Sequence, residues 1–182
     1  HYKFLKRTQI PLPPLAEQKR IAEILDAADA LRTKRRESIA QLDTLLQSTF
    51  LDMFGDPVTN PMGWEKRRLD ELCGLLSGYA WKAKKFNSDG LGCPIIRIQN
   101  VGRDDAHLVF TTEEPIDRFR IDRGDHLLSL SGSFRLAVWD GPKALLNQRI
   151  VKLSPRSAMS GAFFFSALST QLEAIEALGR HA

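Results

Sequence analysis

The chain has 182 residues, 43% of them hydrophobic, enough for one domain of about 125 residues beside an extended element and too few for two separate cores. Its net charge of +4 and pI near 9.2 permit a polyanionic partner, but residues 1–54 hold 9 Lys+Arg against 7 Asp+Glu and residues 55–182 hold 17 against 15, so any basic footprint must come from clustering. Cys73 and Cys93 stand apart without metal-ligand spacing, no apolar run approaches membrane-spanning length and the opening residues do not read as a signal peptide, which argues against a zinc site and for a cytoplasmic protein with no cofactor.

Residues 1–9, HYKFLKRTQ, read as a polar lead-in with Tyr2, Phe4 and Leu5 as anchors. IPLPPLAEQ then opens a stretch from Ile10 to Phe54 that, past Pro14, contains neither proline nor glycine and stops at Gly55-Asp56-Pro57. The prolines hold the entry extended, Pro14 suits a first helical turn, Gly55 suits a left-handed cap and Pro57 cannot continue a helix. The pattern predicts one long helix, about 60 Å from end to end, too long to be buried in a single small core. Ile21, Ile24, Leu25, Ala28 and Leu31 recur at three- and four-residue steps, as do Ile39, Leu42, Leu45, Leu46, Phe50 and Met53, giving an apolar seam in two halves. Arg32 to Ser38 put charge all round the helix between them. That polar middle fits a solvated section, or a basic site facing nucleic acid or a partner, and is better tolerated by an antiparallel helix pair than by a parallel coiled coil.

VTNPMGW, residues 58–64, is a linker punctuated by proline, asparagine and glycine. EKRRLDELCGLL places Leu69, Leu72, Leu75 and Leu76 at helical spacing and predicts a short helix or turn ending near Ser77-Gly78. YAWKAKKF sets Tyr79, Trp81 and Phe86 beside Lys82, Lys84 and Lys85. It fits either a core aromatic set with snorkelling lysines or a phosphate-contacting loop. PIIRIQNV alternates as a strand, with Arg97 and Gln99 sharing its polar face. These are residue types that can read guanine and adenine edges, though an exposed strand face carries the same pattern.

Gly124-Asp125 predicts a turn and HLLSLS a strand, followed by the small-residue turn Ser131-Gly132-Ser133. Asp125 lacks the partner carboxylates, basic residue or cofactor loop that a nuclease or methyltransferase site needs, and reads as a turn former. Phe134 to Trp139 form a further strand, turned by Asp140-Gly141-Pro142, and LLNQRIVKL supplies the last strand with Asn147, Gln148 and Arg149 at its entry. Phe163, Phe164, Phe165, Leu168, Leu172 and Ile175 give a C-terminal helix, from about Gly161 to Leu178, an apolar face to close a sheet.

PLPPLAEQKRIAEILDAAD, the helix ending in LLQSTFLDMFGD, and GWEKRRLDEL, in that order, resemble the central conserved region and the start of the second target recognition domain of a type I restriction-modification specificity (S) subunit. The Ile-Arg-Ile run and the Gly-Asp before an apolar strand resemble the recognition domain itself. In that family two units of recognition domain and conserved helix lie antiparallel, so that their helices pair and each domain reads half of a bipartite target. The resemblance implies that residues 1–9 are the tail of a preceding unit, residues 10–55 the conserved helix and residues 56–182 a target recognition domain. The end, ALSTQLEAIEALGRHA, is similar to the helix that precedes such a tail, consistent with a piece cut from a repeating protein.

The fold expected is α+β: a long N-terminal helix of coiled-coil type, then a recognition domain built on a twisted, mostly antiparallel sheet with flanking helices. The function expected is recognition of double-stranded DNA as a scaffold without chemistry of its own, the modification and restriction subunits being its implied partners. The candidate DNA-binding residues are Lys82, Lys84, Lys85, Arg97, Gln99, Arg103, Ser133 and Arg135, with no catalytic or metal-binding residue. The candidate dimerisation seam is Ile21, Ile24, Leu25, Ala28, Leu31, Ile39, Leu42, Leu46 and Met53, through which isolated copies are expected to form homodimers. The alternative is a helix-mediated assembly or adaptor module whose globular domain binds protein.

Overall fold

A computed structural model of residues 1–182 describes all but residues 1, 104–105, 133, 157–158 and 180–182, and not the side chains of 178 and 179. The chain divides into two units, residues 1–49 and residues 50–182. In the first, helix α1 (Tyr2–Arg7) is followed by an extended proline run and then by α2 (Leu15–Phe54), which ends in the second unit. Pro14 closes the N-terminus of α2: its carbonyl accepts the amides of Glu17 and Gln18 at 2.9 and 3.0 Å. The Gln18 side chain donates back to the Pro13 carbonyl at 2.7 Å. Every residue of the candidate seam is exposed, from Ile21 at 41% to Met53 at 78%.

At the other end of α2, Gly55 takes φ +84° and donates its amide to the Leu51 carbonyl at 2.8 Å, the left-handed stop expected of this residue. Asp56 then accepts the Val58 amide at 2.9 Å and the Thr59 hydroxyl at 3.0 Å. The Val58 amide leads the causes that hold its carboxyl below the usual range. Asn60, at φ 50°, exchanges two hydrogen bonds with the Trp64 backbone, and the Trp64 ring stacks on Phe54 at 5.6 Å.

The remaining chain forms two sheets. One has the order β1-β9-β6-β7, all antiparallel, from β1 (Cys73–Ser77), β6 (His126–Ser129), β7 (Arg135–Val138) and β9 (Ile150–Pro155). The other has the order β2-β4-β3-β8-β5, from β2 (Phe86–Asn87), β3 (Cys93–Ile96), β4 (Val109–Thr111), β5 (Arg120–Ile121) and β8 (Ala144–Leu146). Among the named strands only β3 and β8 pair in parallel, and Tyr79 and Asn147 form an isolated parallel bridge. The expectation of mostly antiparallel pairing is met, with the strands shared between two sheets instead of one.

Alternation along the strands sorts adjacent side chains into separate cores. Ile96, Leu127 and Leu146 join Val101, Ile121, Trp139, Ala144 and Ile150 in one cluster. Their neighbours Ile95 and Leu145 pack with Trp81 in a second. Leu128 joins Cys73, Leu153, Phe164 and Leu168 in a third. The third cluster is where α4 (Gly161–Ser169) meets the four-stranded sheet, with Leu172 and Ile175 of α5 (Leu172–Gly179) packed against it. Burial pushes the Cys73 thiol up, the expected response of a thiol moved away from water.

Four expectations are corrected. The segment 65–76 is helical only in the single turn α3 (Leu69–Leu72), because Cys73 to Ser77 pair with residues 151–155 of β9. The strand read over residues 94–101 ends at Ile96, and residues 98–100 form a 3-10 turn. The buried Asn100 side chain accepts the Arg97 amide at 2.9 Å and donates to the Ala106 carbonyl at 3.0 Å, offering the backbone an alternative to the ladder. LLNQRIVKL is two strands in different sheets joined by a turn at 147–149, not one strand. The C-terminal helix breaks at Thr170, where the Ser169 and Thr170 hydroxyls donate to carbonyls three residues back at 2.8 and 2.9 Å.

Candidate nucleic-acid interface

The turn between β8 and β9 passes the chain from one sheet to the other and is held from two sides. Gly78 donates its amide to the Ile150 carbonyl at 3.0 Å, and the Tyr79 carbonyl accepts the Gln148 amide at 2.9 Å. From the opposite side, Leu130 donates to the Arg149 carbonyl at 2.8 Å. A Cβ on Gly78 would stand 2.1 Å from the Asn147 carbonyl oxygen, so only glycine allows this approach. Gln148 and Arg149 are exposed, and Arg149 holds φ 69°.

Two of the candidate arginines border this turn. Arg97 follows Ile96, whose register partner is Leu146. Arg135 begins β7 opposite Ser129, which is itself opposite Ile150, and the Arg135 amide donates to the Ser129 hydroxyl at 3.0 Å. Strand spacing puts Arg97 about 5 Å and Arg135 about 10 Å across from the turn. Both side chains are half-buried, and the buried Arg97 Nε has no hydrogen-bond partner among the described residues. Gln99 lies in the 3-10 turn, so it does not share a strand face with Arg97. Exposed Arg103 borders a cavity of about 190 Å³ with Asn100, Leu127 and Ala137 to Asp140. Ser133 lies outside the described residues.

The aromatic-basic loop resolves into two populations. Trp81 is 5% exposed and donates its indole N–H to the Leu146 carbonyl at 3.0 Å, while Tyr79 meets it edge-on at 4.8 Å. Lys82, Lys84 and Lys85 are all exposed. The loop crosses the five-stranded sheet from its Leu146 end to the far end of β3, where the Lys85 carbonyl accepts the Thr112 amide at 3.2 Å. The lysines and the Arg97–Arg135 pair are therefore not one cluster.

These cations share an electrostatic property. Lys82, Lys84, Lys85, Arg97, Arg103, Arg135 and Arg149, like Lys66, Arg118, Arg123 and Arg156, form no ion pair with a described residue, whereas Arg67, Arg68, Arg120, Lys143 and Lys152 each meet a carboxylate within 4.0 Å. An unneutralised cation is available to a phosphate or a base edge; a paired one first has to give up its carboxylate. Asp125, the residue that invited a catalytic interpretation, is engaged structurally: it accepts the Asp122 amide at 2.8 Å and Lys152 Nζ at 2.6 Å. Among the described residues no group of three His, Cys, Asp or Glu could hold a metal, and no helix is long and apolar enough to cross a membrane. A larger, mainly apolar concavity of about 630 Å³, lined by Phe54, Trp64, Met159, Phe163 and Ala167 among others, includes none of the candidate residues.

Arg149 is not among the residues that strand alternation singles out. The signal was present as three polar residues, Asn147-Gln148-Arg149, set into the apolar run Leu145-Leu146 and Ile150-Val151.

A long helix is followed in the chain by two sheets, with a clamped turn bordered by arginines that meet no described carboxylate. The chain belongs to the type I restriction modification DNA specificity domain family, whose model matches residues 2–42 and 61–181. It is similar to the type I restriction enzyme EcoBI specificity subunit of Escherichia coli, 29% identical over 115 residues that cover 63% of this chain and 24% of that one. It is also similar to the MjaVIII specificity subunit of Methanocaldococcus jannaschii, 31% identical over 112 residues that cover 55% and 26%. The chain thus spans about a quarter of the length of these curated relatives. Among solved structures, the HsdS subunit from Thermoanaerobacter tengcongensis shares the fold with a TM-score of 0.52 at 22% identity, over 92% of this chain and 44% of that one. A chain from a structure described as showing complex assembly and conformational transition of the type I R-M system matches with a TM-score of 0.52 at 25% identity, over 92% and 43%.

Proposed function

We propose that the chain recognises double-stranded DNA in a sequence-specific manner, as part of the specificity subunit of a type I restriction-modification complex. Residues 10–55 serve as the conserved helical spacer and residues 56–182 as the target recognition domain. The observation that carries this is the set of exposed or half-buried cations without a carboxylate partner among the described residues, on a chain whose family is defined by DNA specificity. Lys82, Lys84 and Lys85 supply phosphate contacts that position the duplex, while Arg97 and Arg135 stand at the end of the sheets where base edges are read. Gln99, Arg103 and Ser133 complete the proposed contact set. The modification and restriction subunits supply the chemistry, and this chain supplies sequence choice and a scaffold for them.

The exposed seam of α2 suits a second helix. Each Leu or Ile buried contributes ~1.5 to 3 kcal/mol, so a seam of this length favours pairing. An isolated copy pairs with another copy as an antiparallel homodimer and thereby prefers a palindromic bipartite site.

Duplex binding measured against salt and against unrelated competitor duplex tests the function. A steep fall in affinity with salt together with preference for one half-site is expected. Binding that is absent, or indifferent to sequence, would favour the adaptor alternative, and turnover by the isolated chain would contradict a role without chemistry.

A further inference from the structure

Arg149 occupies a backbone position that does not favour arginine. Its φ of 69° is in the left-handed region, which glycine or asparagine holds at lower cost. The bend is also rigidly tied: the Arg149 carbonyl accepts Leu130, the neighbouring Gln148 amide is bonded to Tyr79, and Ile150 is bonded to Gly78. The direction in which Cβ leaves the backbone is therefore set by the segments that follow β1 and β6. The side chain is exposed and forms no ion pair with a described residue. No described residue forms a hydrogen bond or ion pair with the guanidinium, while the backbone that carries it is bonded on both sides.

Base reading requires that combination. A phosphate contact tolerates a mobile ammonium, whereas a bidentate contact to a base edge needs a planar fork delivered in one orientation. Arg97 lies about one strand spacing, ~5 Å, from the turn and Arg135 about two, ~10 Å; each separation is smaller than the width of a major groove, about 12 Å.

We propose that Arg149 is a specificity-determining residue of the DNA interface, donating two hydrogen bonds to a base edge of the type presented by guanine O6 and N7. The inference rests on the DNA-recognition function proposed above and adds a residue and a chemistry to it.

The test compares the unmodified chain with Arg149→Gly and Arg149→Lys on its selected duplex, on that duplex with each base pair replaced in turn, and on unrelated duplex. Glycine suits the positive φ, so Arg149→Gly removes the guanidinium without straining the turn, and its unfolding midpoint should not fall. Binding to the selected duplex should weaken about 10- to 100-fold, with preference flattened at one base pair and unrelated duplex bound nearly as before. Lysine should fail to restore that preference. If Arg149→Gly lowers the midpoint, Arg149→Lys carries the test alone. Retained preference in these variants would overturn the inference, as would a loss equal on every duplex that lysine rescues, which marks a phosphate contact. If the unmodified chain selects no sequence, the recognition function fails together with the inference, and that result is visible before any variant is examined.

Discussion

Replacing Lys82, Lys84 and Lys85 together by alanine separates the two roles that the aromatic-basic loop combines. All three side chains are exposed, and none pairs with a described carboxylate. The bond that ties Lys82 to Glu113 uses its backbone amide, which survives the substitution. The aromatic anchor Trp81 is also untouched, with its indole bond to Leu146 intact. Stability should therefore change by no more than about 0.5 kcal/mol. Duplex binding responds differently, because each phosphate neutralised contributes about 0.9 to the slope of log affinity against log salt. Three lost contacts flatten the slope by ~2.7, so between 50 and 200 mM salt the variant should lose about 40-fold less affinity than the unmodified chain. Fluorescence anisotropy on one labelled duplex across a salt series measures the slope, and thermal unfolding measures stability. An unchanged slope with a lowered unfolding midpoint would refute the assignment and make the lysines supports of the core.

Gly78→Ala forces a Cβ against the Asn147 carbonyl, 2.1 Å away before any shift, and should cost ~1 to 3 kcal/mol in denaturant unfolding while also degrading sequence preference; full stability would show that the clamp is loose. Asp125→Ala leaves Lys152 without the carboxylate now 2.6 Å from it, and with both side chains about one-fifth exposed the loss should be ~1 to 3 kcal/mol, with no specific loss of DNA contact. Leu42→Asp together with Leu46→Asp places two charges in the exposed seam and should convert a homodimer to monomers in sedimentation. A monomer already present in the unmodified chain at micromolar concentration would contradict pairing through α2.

The parts of the fold that were legible in the sequence are those set by local chemistry. Pro14 and Gly55 mark the ends of α2 because proline has a fixed φ and lacks an amide that the first turn leaves unused, and glycine can take positive φ, all of which depend on the residue itself. The division into two sheets was not legible. Leu145-Leu146 and Ile150-Val151 look like one apolar run, and only pairing with residues distant in sequence assigns them to different sheets. Arg97 and Gln99 were placed on one strand face because the alternation is clean; the Asn100 side chain bonds the Arg97 amide and the strand ends at Ile96, before either residue. The lysines of residues 82–85 could be recognised as exposed cations from their alternation with aromatics, since burying Trp81 leaves its neighbours outside. Arg149 could not be recognised in the same way, because its position depends on contacts from Gly78, Tyr79 and Leu130, far apart in the chain.

The most direct measurement of the central claim is selection from a pool of randomised duplexes by the chain in the presence of its modification subunit, followed by sequencing of the bound fraction. Recognition of a defined target predicts enrichment of one short motif, arranged as a palindromic bipartite site if two copies of the chain are present. Bound DNA with the same base composition as the starting pool would contradict it.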